Sequence, residues 1–247
     1  MNGISVLFLG SGDAFCAQGL HQAGYLVQAA GTTFLLDCGA TTLCSLKREG
    51  VDANLIDTIL ISHLHGDHFS GAPLLFLEYV YMASRQHLLR VAGPPGTRKR
   101  LMTLYGAMYK DAANEPMPFP LEFIELTPQR QSRIGSINVH PFEVPHQEND
   151  ISLGLLVEVE GRRILYSGDT GWTEELVSRS QDTDLFICEC SFFETRMRSH
   201  LDYPRLAENR HRFGTKRLIL THLGREVLSR RDQLDIELAH DGLKVQI

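Results

Sequence analysis

The sequence predicts an α/β fold of the αββα sandwich class, in which two mixed β-sheets pack face to face and helices cover their outer surfaces. Short apolar, β-branched segments recur along the 247 residues in two runs, and each run is interrupted and followed by segments of helical periodicity. No low-complexity linker or internal repeat divides the chain. We therefore expect residues 1–247 to form a single domain built from two similar halves.

The first run begins close to the N-terminus. Strands separated by glycine-containing turns are predicted at residues 4–9, 23–28 and 32–37, followed by a helix at about 41–49 and a strand at 58–62. Apolar residues at helical spacing predict a helix at about 70–84. A strand at 87–93 and a helix at 97–108 come next. The proline-rich EPMPFP then predicts a loop that would mark the middle of the fold.

The second run contains mostly strands. They are predicted at residues 121–126, 136–144, 153–160, 162–168, 184–190 and 216–222, with the C-terminal LKVQI as a last strand. A turn at Gly161 joins two of them.

Composition argues against several functional classes. A formal net charge of −6 gives no general attraction to nucleic acid. The opening MNGISVLFLGSGDAF lacks the features of a signal peptide, and no segment has the roughly 18 consecutive apolar residues of a membrane span. The five cysteines are odd in number and form no CxxC pair, which fits free thiols in a reducing compartment. We expect a cytoplasmic protein with no membrane partner.

The segment ISHLHGDH is the strongest indication of chemistry. It places His63, His65, Asp67 and His68 within six positions, directly after a predicted strand. Imidazole and carboxylate groups are the ligands of catalytic zinc, so a metal site is favoured over a surface histidine cluster. Because one cation would not use all these groups and distant partners as well, two ions about 3.5–4 Å apart are expected.

Further ligands should then lie downstream, at the ends of other strands. The candidates are His146 in VPHQEND, Asp169 in ILYSGDT and His222 in LILTHLG. Each alone is weak, because a lone histidine after a strand is more often structural. Three such sites after HLHGDH favour a shared metal centre.

These motifs, in this order, resemble the metallo-β-lactamase superfamily, specifically its ribonuclease Z-like, phosphodiesterase branch. The resemblance covers nearly the whole chain and includes FLGSGDAF near the N-terminus and LLDCG at residues 35–39. It implies the metallo-β-lactamase fold and a cofactor of two divalent cations, with zinc as the default and manganese or iron as alternatives. The implied ligands are His63, His65 and His146 for one ion and Asp67, His68 and His222 for the other, with Asp169 bridging both.

The implied mechanism is attack by a metal-bound hydroxide, because two cations lower the pKa of a water that they share. Asp67 is also a candidate proton acceptor from that water. The resemblance further suggests His200 as a general acid for the leaving alkoxide, oriented by Glu189. The alternatives are a surface histidine and a buried glutamate within a strand.

Other residues receive weaker assignments. Asp37 resembles the carboxylate that accepts a hydrogen bond from a metal-binding histidine, with a turn-capping aspartate as the alternative. Ser11 and Asp13 are expected to line the site. Trp172 would either form a wall of the pocket or pack in the core, and His21 is a further pocket candidate.

The substrate is predicted less firmly than the centre. Ribonuclease Z proteins usually carry a substrate-gripping arm between the third histidine and the bridging aspartate, but here only 22 residues separate His146 from Asp169. A small or cyclic phosphodiester of nucleotide type, or a nucleic acid end, is therefore favoured over a folded RNA. The alternatives are a lactonase or thioesterase and a non-catalytic metal-binding regulatory protein, although the complete ligand set argues against the latter. The resemblance also suggests a homodimer.

Overall fold

A computed structural model describes residues 3–247. Met1 and Asn2, which open the segment predicted to lack signal features, lie outside the described residues. The strands are β1 Ser5–Gly10, β2 Gly24–Ala29, β3 Thr32–Leu36, β4 Thr58–Leu60, β5 Leu89–Gly93, β6 Leu121–Glu125, β7 Ser132–Ile134, β8 Ile137–Glu143, β9 Leu153–Val159, β10 Arg162–Tyr166, β11 Leu185–Glu189, β12 Leu218–Thr221, β13 Glu237–Leu238 and β14 Lys244–Gln246. The helices are α1 Thr42–Arg48, α2 Gly66–Phe69, α3 Ala72–Tyr81, α4 Thr97–Met108, α5 Lys110–Asn114, α6 Glu174–Arg179, α7 Tyr203–Asn209 and α8 Arg225–Leu228.

The strands form two seven-stranded mixed sheets. The first has the order β14-β1-β2-β3-β4-β5-β6 and the second the order β13-β12-β11-β10-β9-β8-β7. In the first sheet the pairs from β14 to β3 are antiparallel and those from β3 to β6 are parallel. In the second, β7 to β10 pair antiparallel and β10 to β13 parallel. The two halves therefore repeat one pattern of pairing.

The alternation of side chains along β1 shows how the layers form. Val6 and Phe8 enter the central core between the sheets, whereas Leu7 and Leu9 pack in the outer layer with the helices. The central core also contains residues of the second sheet, such as Val157 and Ile187. Because β1 buries both faces, its sequence is a continuous apolar run, as predicted for a strand inside a layered α/β fold.

Helices cover the outer face of each sheet. Leu46 of α1, Phe76 of α3 and Leu101 of α4 pack in the layer outside the first sheet. Leu176 of α6 and Leu206 of α7 belong to the corresponding layer outside the second sheet. The predicted αββα sandwich is confirmed. Among residues 3–247, no helix combines the length and the apolar character that crossing a membrane would require.

The predicted middle of the fold was wrong. The EPMPFP loop precedes β6, and β6 pairs in parallel with β5, so it belongs to the first sheet. After β6 the chain crosses from the first sheet to the second. Its last strand, β14, returns to the first sheet beside β1. Proline-rich composition marks a turn but carries no information about which strands pair across it.

None of the three helices α6, α7 and α8 in the second half was predicted, although α6 and α7 each have a capping signal. Thr173 accepts a hydrogen bond from the Glu175 amide at the start of α6. Asp202 accepts one from the Arg205 amide at the start of α7, where proline occupies the first turn. These helices have only six and seven residues, too few to show clear periodicity.

Candidate metal centre and active site

The predicted ligands lie at the ends of strands in both sheets. His63 and His65 follow β4, and the single turn of α2 carries Asp67 and His68. From the second sheet, His146 follows β8, Asp169 follows β10 and His222 follows β12. All seven predicted residues therefore lie at one edge of the sandwich, because strands that run in the same direction end at the same edge.

The ligand atoms form two groups that share Asp169. One group contains His63, His65, His146 and Asp169, and the other contains Asp67, His68, Asp169 and His222. Within each group the atoms lie within 4.8 Å of one another. The Asp169 carboxylate lies 3.8 Å from Nε2 of His63 and 3.3 Å from Nε2 of His68. The donor set is compatible with two cations joined by a carboxylate.

Buried polar atoms support this fit. Nε2 of His63, Nε2 of His68 and Oδ1 of Asp169 are buried, and none has a hydrogen-bond partner within residues 3–247. Burying a polar atom without a partner is unfavourable, so three such atoms around one place are what a cation-binding site requires. Two cations would satisfy all three atoms, and the residues present therefore fit the group that the sequence implies.

Backbone conformation helps to position two of the ligands. His222 has φ of 53°, in the left-handed region that residues other than glycine rarely adopt. Gly168, immediately before Asp169, has φ of 58°, and a Cβ atom there would lie 2.6 Å from the Leu153 carbonyl oxygen. Only glycine fits this approach between the end of β10 and the start of β9.

Asp37 lies behind the centre and accepts several hydrogen bonds. His68 Nδ1 lies 2.7 Å from Asp37 Oδ2, which leaves the His68 Nε2 atom facing Asp169. The Ser62 amide and hydroxyl both donate to Asp37 at 2.6 Å, as does the Tyr166 hydroxyl. The predicted contact between Asp37 and a histidine is therefore present, and it fixes which nitrogen His68 offers to a metal.

Glu189 and His200, the predicted proton donor pair, are in contact. His200 Nδ1 lies 2.9 Å from Glu189 Oε1, so its Nε2 remains available. Burial by itself would lower the pKa of His200, but the hydrogen bond and charge of Glu189 outweigh it and raise that pKa to about 9. The carboxylate of Glu189 is in turn held by the Thr170 amide at 2.7 Å.

Ser191 joins this pair to the centre. Its hydroxyl lies 2.9 Å from Glu189 Oε2, 3.0 Å from His222 Nδ1 and 3.3 Å from His200 Nδ1. The rings of His200 and His222 are stacked, with centroids 5.8 Å apart. Ser191 was not predicted, and its only signal in the sequence is its position two residues after Glu189.

One cavity of about 440 Å³ opens over the centre. It is lined by Asp13, Ala14, Phe15, His65, Asp67, Asp169, Ser191, Phe192, His200, His222, Gly224, Arg225 and Glu226. His200 therefore faces the same space as four of the predicted ligands, His65, Asp67, Asp169 and His222. This volume suits a small ligand.

The weaker assignments of four residues have mixed outcomes. Asp13 lines the cavity as predicted, but Ser11 is buried outside its lining and donates to Asp241. His21 is likewise outside that lining, and its ring contacts the Ser45 hydroxyl. Trp172 packs against the outer layer of the second sheet and lines a neighbouring cavity with arginines, so it is not a wall of the main cavity.

Comparisons with known proteins agree with this architecture. The chain is 26% identical to a ribonuclease Z of Agathobacter rectalis, over 83% of this chain and 82% of that protein. Its structure is similar to that of the short form of human tRNase Z, with a TM-score of 0.79, 24% identity and coverage of 98% and 99%. It is also similar to YhfI, a metallo-β-lactamase fold protein of Bacillus subtilis, with a TM-score of 0.80, 19% identity and complete coverage of both chains.

The predicted relationship to ribonuclease Z-like hydrolases of the metallo-β-lactamase superfamily is confirmed, and the chain is a metal-dependent phosphoric diester hydrolase. Residues 4–240 match the family described as anti-Pycsar protein Apyc1, which is almost the whole chain. The chain therefore belongs to the anti-Pycsar protein Apyc1 family.

Proposed function

We propose that this chain hydrolyses a small or cyclic phosphodiester of nucleotide type. The observation that carries the proposal is that His200 and members of both ligand groups line one cavity of about 440 Å³. A compact phosphodiester needs both elements, a site for the attacked phosphorus and a proton donor for the leaving oxygen.

The segment between His146 and Asp169 supports a small substrate. Most of it forms β9 and β10, which pair with each other through five residues of β10. These residues complete the second sheet, where ribonuclease Z proteins usually carry a substrate-gripping arm. A nucleic acid end remains compatible with the open cavity, but the compact segment favours the smaller ligand.

The proposed metal sites follow the two ligand groups. His63, His65 and His146 would hold one cation, Asp67, His68 and His222 would hold the other, and Asp169 would bridge them. When bound, the two cations supply a nucleophilic hydroxide at neutral pH and polarise the phosphoryl oxygen of the substrate. Zinc is the default cation, and manganese and iron are alternatives because they accept the same ligand types.

The remaining chemistry belongs to the side chains. Asp67 lies at the cavity floor, with Oδ2 3.2 Å from His222 Nε2, and can accept a proton there. His200 would donate a proton from Nε2 to the leaving alkoxide, because Glu189 occupies its Nδ1. Glu189 stabilises the charged imidazolium before that transfer.

We extend the proposal to the domain organisation. The first sheet contributes the His63–His68 segment, and the second contributes His146, Asp169 and His222. Since neither half holds a complete ligand group, we propose that residues 1–247 act as a single domain.

The test compares substrates and one matched variant. The chelator-treated protein is reloaded with zinc, manganese or iron and assayed on a bis-aryl phosphodiester, a panel of cyclic nucleotides and a simple lactone. His200→Ala should lower the cleavage of cyclic nucleotides, whose leaving oxygen is an alkoxide, by about 10²–10⁴-fold. The bis-aryl substrate should be less affected, because an aryloxide leaves without protonation. His211→Ala removes an exposed histidine outside the cavity and should leave the rate unchanged.

Other outcomes support the alternatives. Lactone cleavage that is indifferent to His200→Ala would support a lactonase. Tight metal binding without turnover on any substrate would support a regulatory protein.

A further inference from the structure

Phe15 combines two properties that are rarely found together. It lines the cavity over the metal centre, and 90% of its surface is exposed. Among the exposed large apolar residues within 3–247, Met82 is next at 74%, and it does not line this cavity. Because water contacts almost the whole Phe15 side chain, the fold itself gains little from an aromatic residue at this position.

The turn that presents Phe15 is well ordered. Asp13 Oδ1 accepts hydrogen bonds from the amides of Phe15 at 3.1 Å and Ala17 at 3.0 Å. The Cys16 amide donates to the Asp13 carbonyl oxygen at 3.1 Å, and Cys16 has φ of 53°. Such a left-handed residue persists only where its surroundings hold it. The ring of Phe15 is therefore presented by a fixed turn and not by a loose loop.

A second aromatic residue contributes to the same rim. Phe192 follows β11 and lines the cavity, and its ring meets that of His200 edge to face at 5.9 Å. Backbone hydrogen bonds join Phe192 to Leu201 and Tyr203, so it is also held in place. The cavity thus has polar candidates for phosphate chemistry at its floor and aromatic surface at its rim.

We propose that Phe15 stacks on the nucleobase of the substrate, so that this chain selects phosphodiesters that carry a base over base-free ones. The inference rests on the proposed function, because it takes the phosphate to bind at the floor. An aromatic face accepts any base, since every base offers a π-surface. Phe15 would therefore select for the presence of a base with little regard to its identity.

The test measures binding and does not depend on turnover. Isothermal titration of the metal-loaded protein compares adenosine 5′-monophosphate with ribose 5-phosphate, which share the sugar phosphate and differ in the base. The wild-type protein should bind the nucleotide more tightly. Phe15→Ala should weaken nucleotide binding by roughly 5- to 150-fold and leave ribose 5-phosphate unchanged, the range expected for one base stacked on one aromatic ring.

Two further variants make the result specific. Phe15→Trp keeps an aromatic face and should retain the preference for the nucleotide. Met82→Ala removes another exposed apolar side chain, away from the cavity, and should change neither affinity.

Several results would overturn the inference. One is equal affinity of the wild-type protein for both ligands, and another is a preference that survives in Phe15→Ala. A third is a change in molecular mass in solution caused by Phe15→Ala without any change in preference, which would make Phe15 a contact between copies of the chain. Loss of phosphodiesterase activity in the substrate assay, with base preference intact, would refute the proposed function alone.

Discussion

Tyr166, the last residue of β10 in the second sheet, donates its hydroxyl hydrogen over 2.6 Å to Asp37, which follows β3 of the first sheet. The Asp37 carboxylate also accepts hydrogen bonds from His68 and Ser62. One buried carboxylate therefore connects the central core to the candidate metal centre. Charge-assisted hydrogen bonds of this kind are about twice as strong as neutral ones.

We predict that Asp37→Asn weakens metal binding by about 10–100-fold, because an amide cannot accept from His68, Ser62 and Tyr166 as a carboxylate does. A chelator competition titration measures the change. Asp57→Asn is the control, since Asp57 accepts from the Thr33 amide at the start of β4, at the opposite end of this strand from His63. Equal metal affinity of both variants would contradict a role for Asp37 in orienting His68.

Ser191 should be needed to orient His222. The Ser191 hydroxyl can accept from His222 Nδ1 and donate to Glu189. We expect Ser191→Ala to lower metal affinity by about 10–100-fold and Ser191→Thr, which keeps the hydroxyl, to restore most of it. If both variants bind metal with the affinity of the wild-type protein, the Ser191 hydroxyl is not needed to orient His222.

Glu226 should control the order of the segment that leads to His200. Its carboxylate accepts hydrogen bonds from the amides of Phe193, Glu194 and Thr195 and from the Thr195 hydroxyl. The Thr195 hydroxyl, together with these amides, lowers the pKa of Glu226 to about 2. Glu226 is therefore ionised at neutral pH.

We predict that Glu226→Ala increases hydrogen exchange across residues 193–200 and lowers kcat/KM by up to about 10²-fold through misplacement of His200. Glu237→Ala breaks a surface ion pair with Arg217 and serves as the control. Unchanged exchange in the Glu226 variant would show that other contacts hold the segment.

Asp184 should make stability depend on pH. Burial would raise its pKa, but hydrogen bonds from Lys216, the Arg163 amide and Arg162 lower it below the ordinary value. A lowered carboxyl pKa contributes stability above about pH 4, the unfolded value, and this contribution is lost as the pH falls through the folded pKa.

Asp184→Asn should therefore reduce the free energy of unfolding at pH 7 by about 1–3 kcal/mol, with a smaller difference from the wild-type protein at about pH 3. Urea denaturation of chelator-treated proteins measures this without a contribution from metal release. Asp232→Asn, at an exposed position, is the control. A difference that is constant with pH would assign the effect to packing.

The ligand positions were predictable because each follows an apolar strand and carries a characteristic residue type. His146, Asp169 and His222 are far apart in the chain, but a strand end precedes each of them. Tyr166 and Ser191 gave no comparable signal, since a tyrosine or serine in this context is common. Their contacts depend on how the sheets pack, which periodicity does not specify.

Besides these contacts between the sheets, the sequence could not reveal the exposure of Phe15. FLGSGDAF reads as a strand and a turn, and nothing in it distinguishes a buried Phe15 from an exposed one. The middle of the fold was misplaced for a related reason, because strand pairing is a long-range property. β6 follows a proline-rich loop and still pairs with the strand before that loop.

The pairing of β1 with β14 has a consequence for biosynthesis. These strands contain Ser5–Gly10 and Lys244–Gln246, so β1 is synthesised more than 200 residues before its partner β14. Until then β1 remains an open edge, and such an edge can recruit strands of other chains. His222 also emerges late, after every other predicted ligand. The nascent chain would thus need protection from self-association between the synthesis of β1 and that of β14, and metal capture would follow the synthesis of His222.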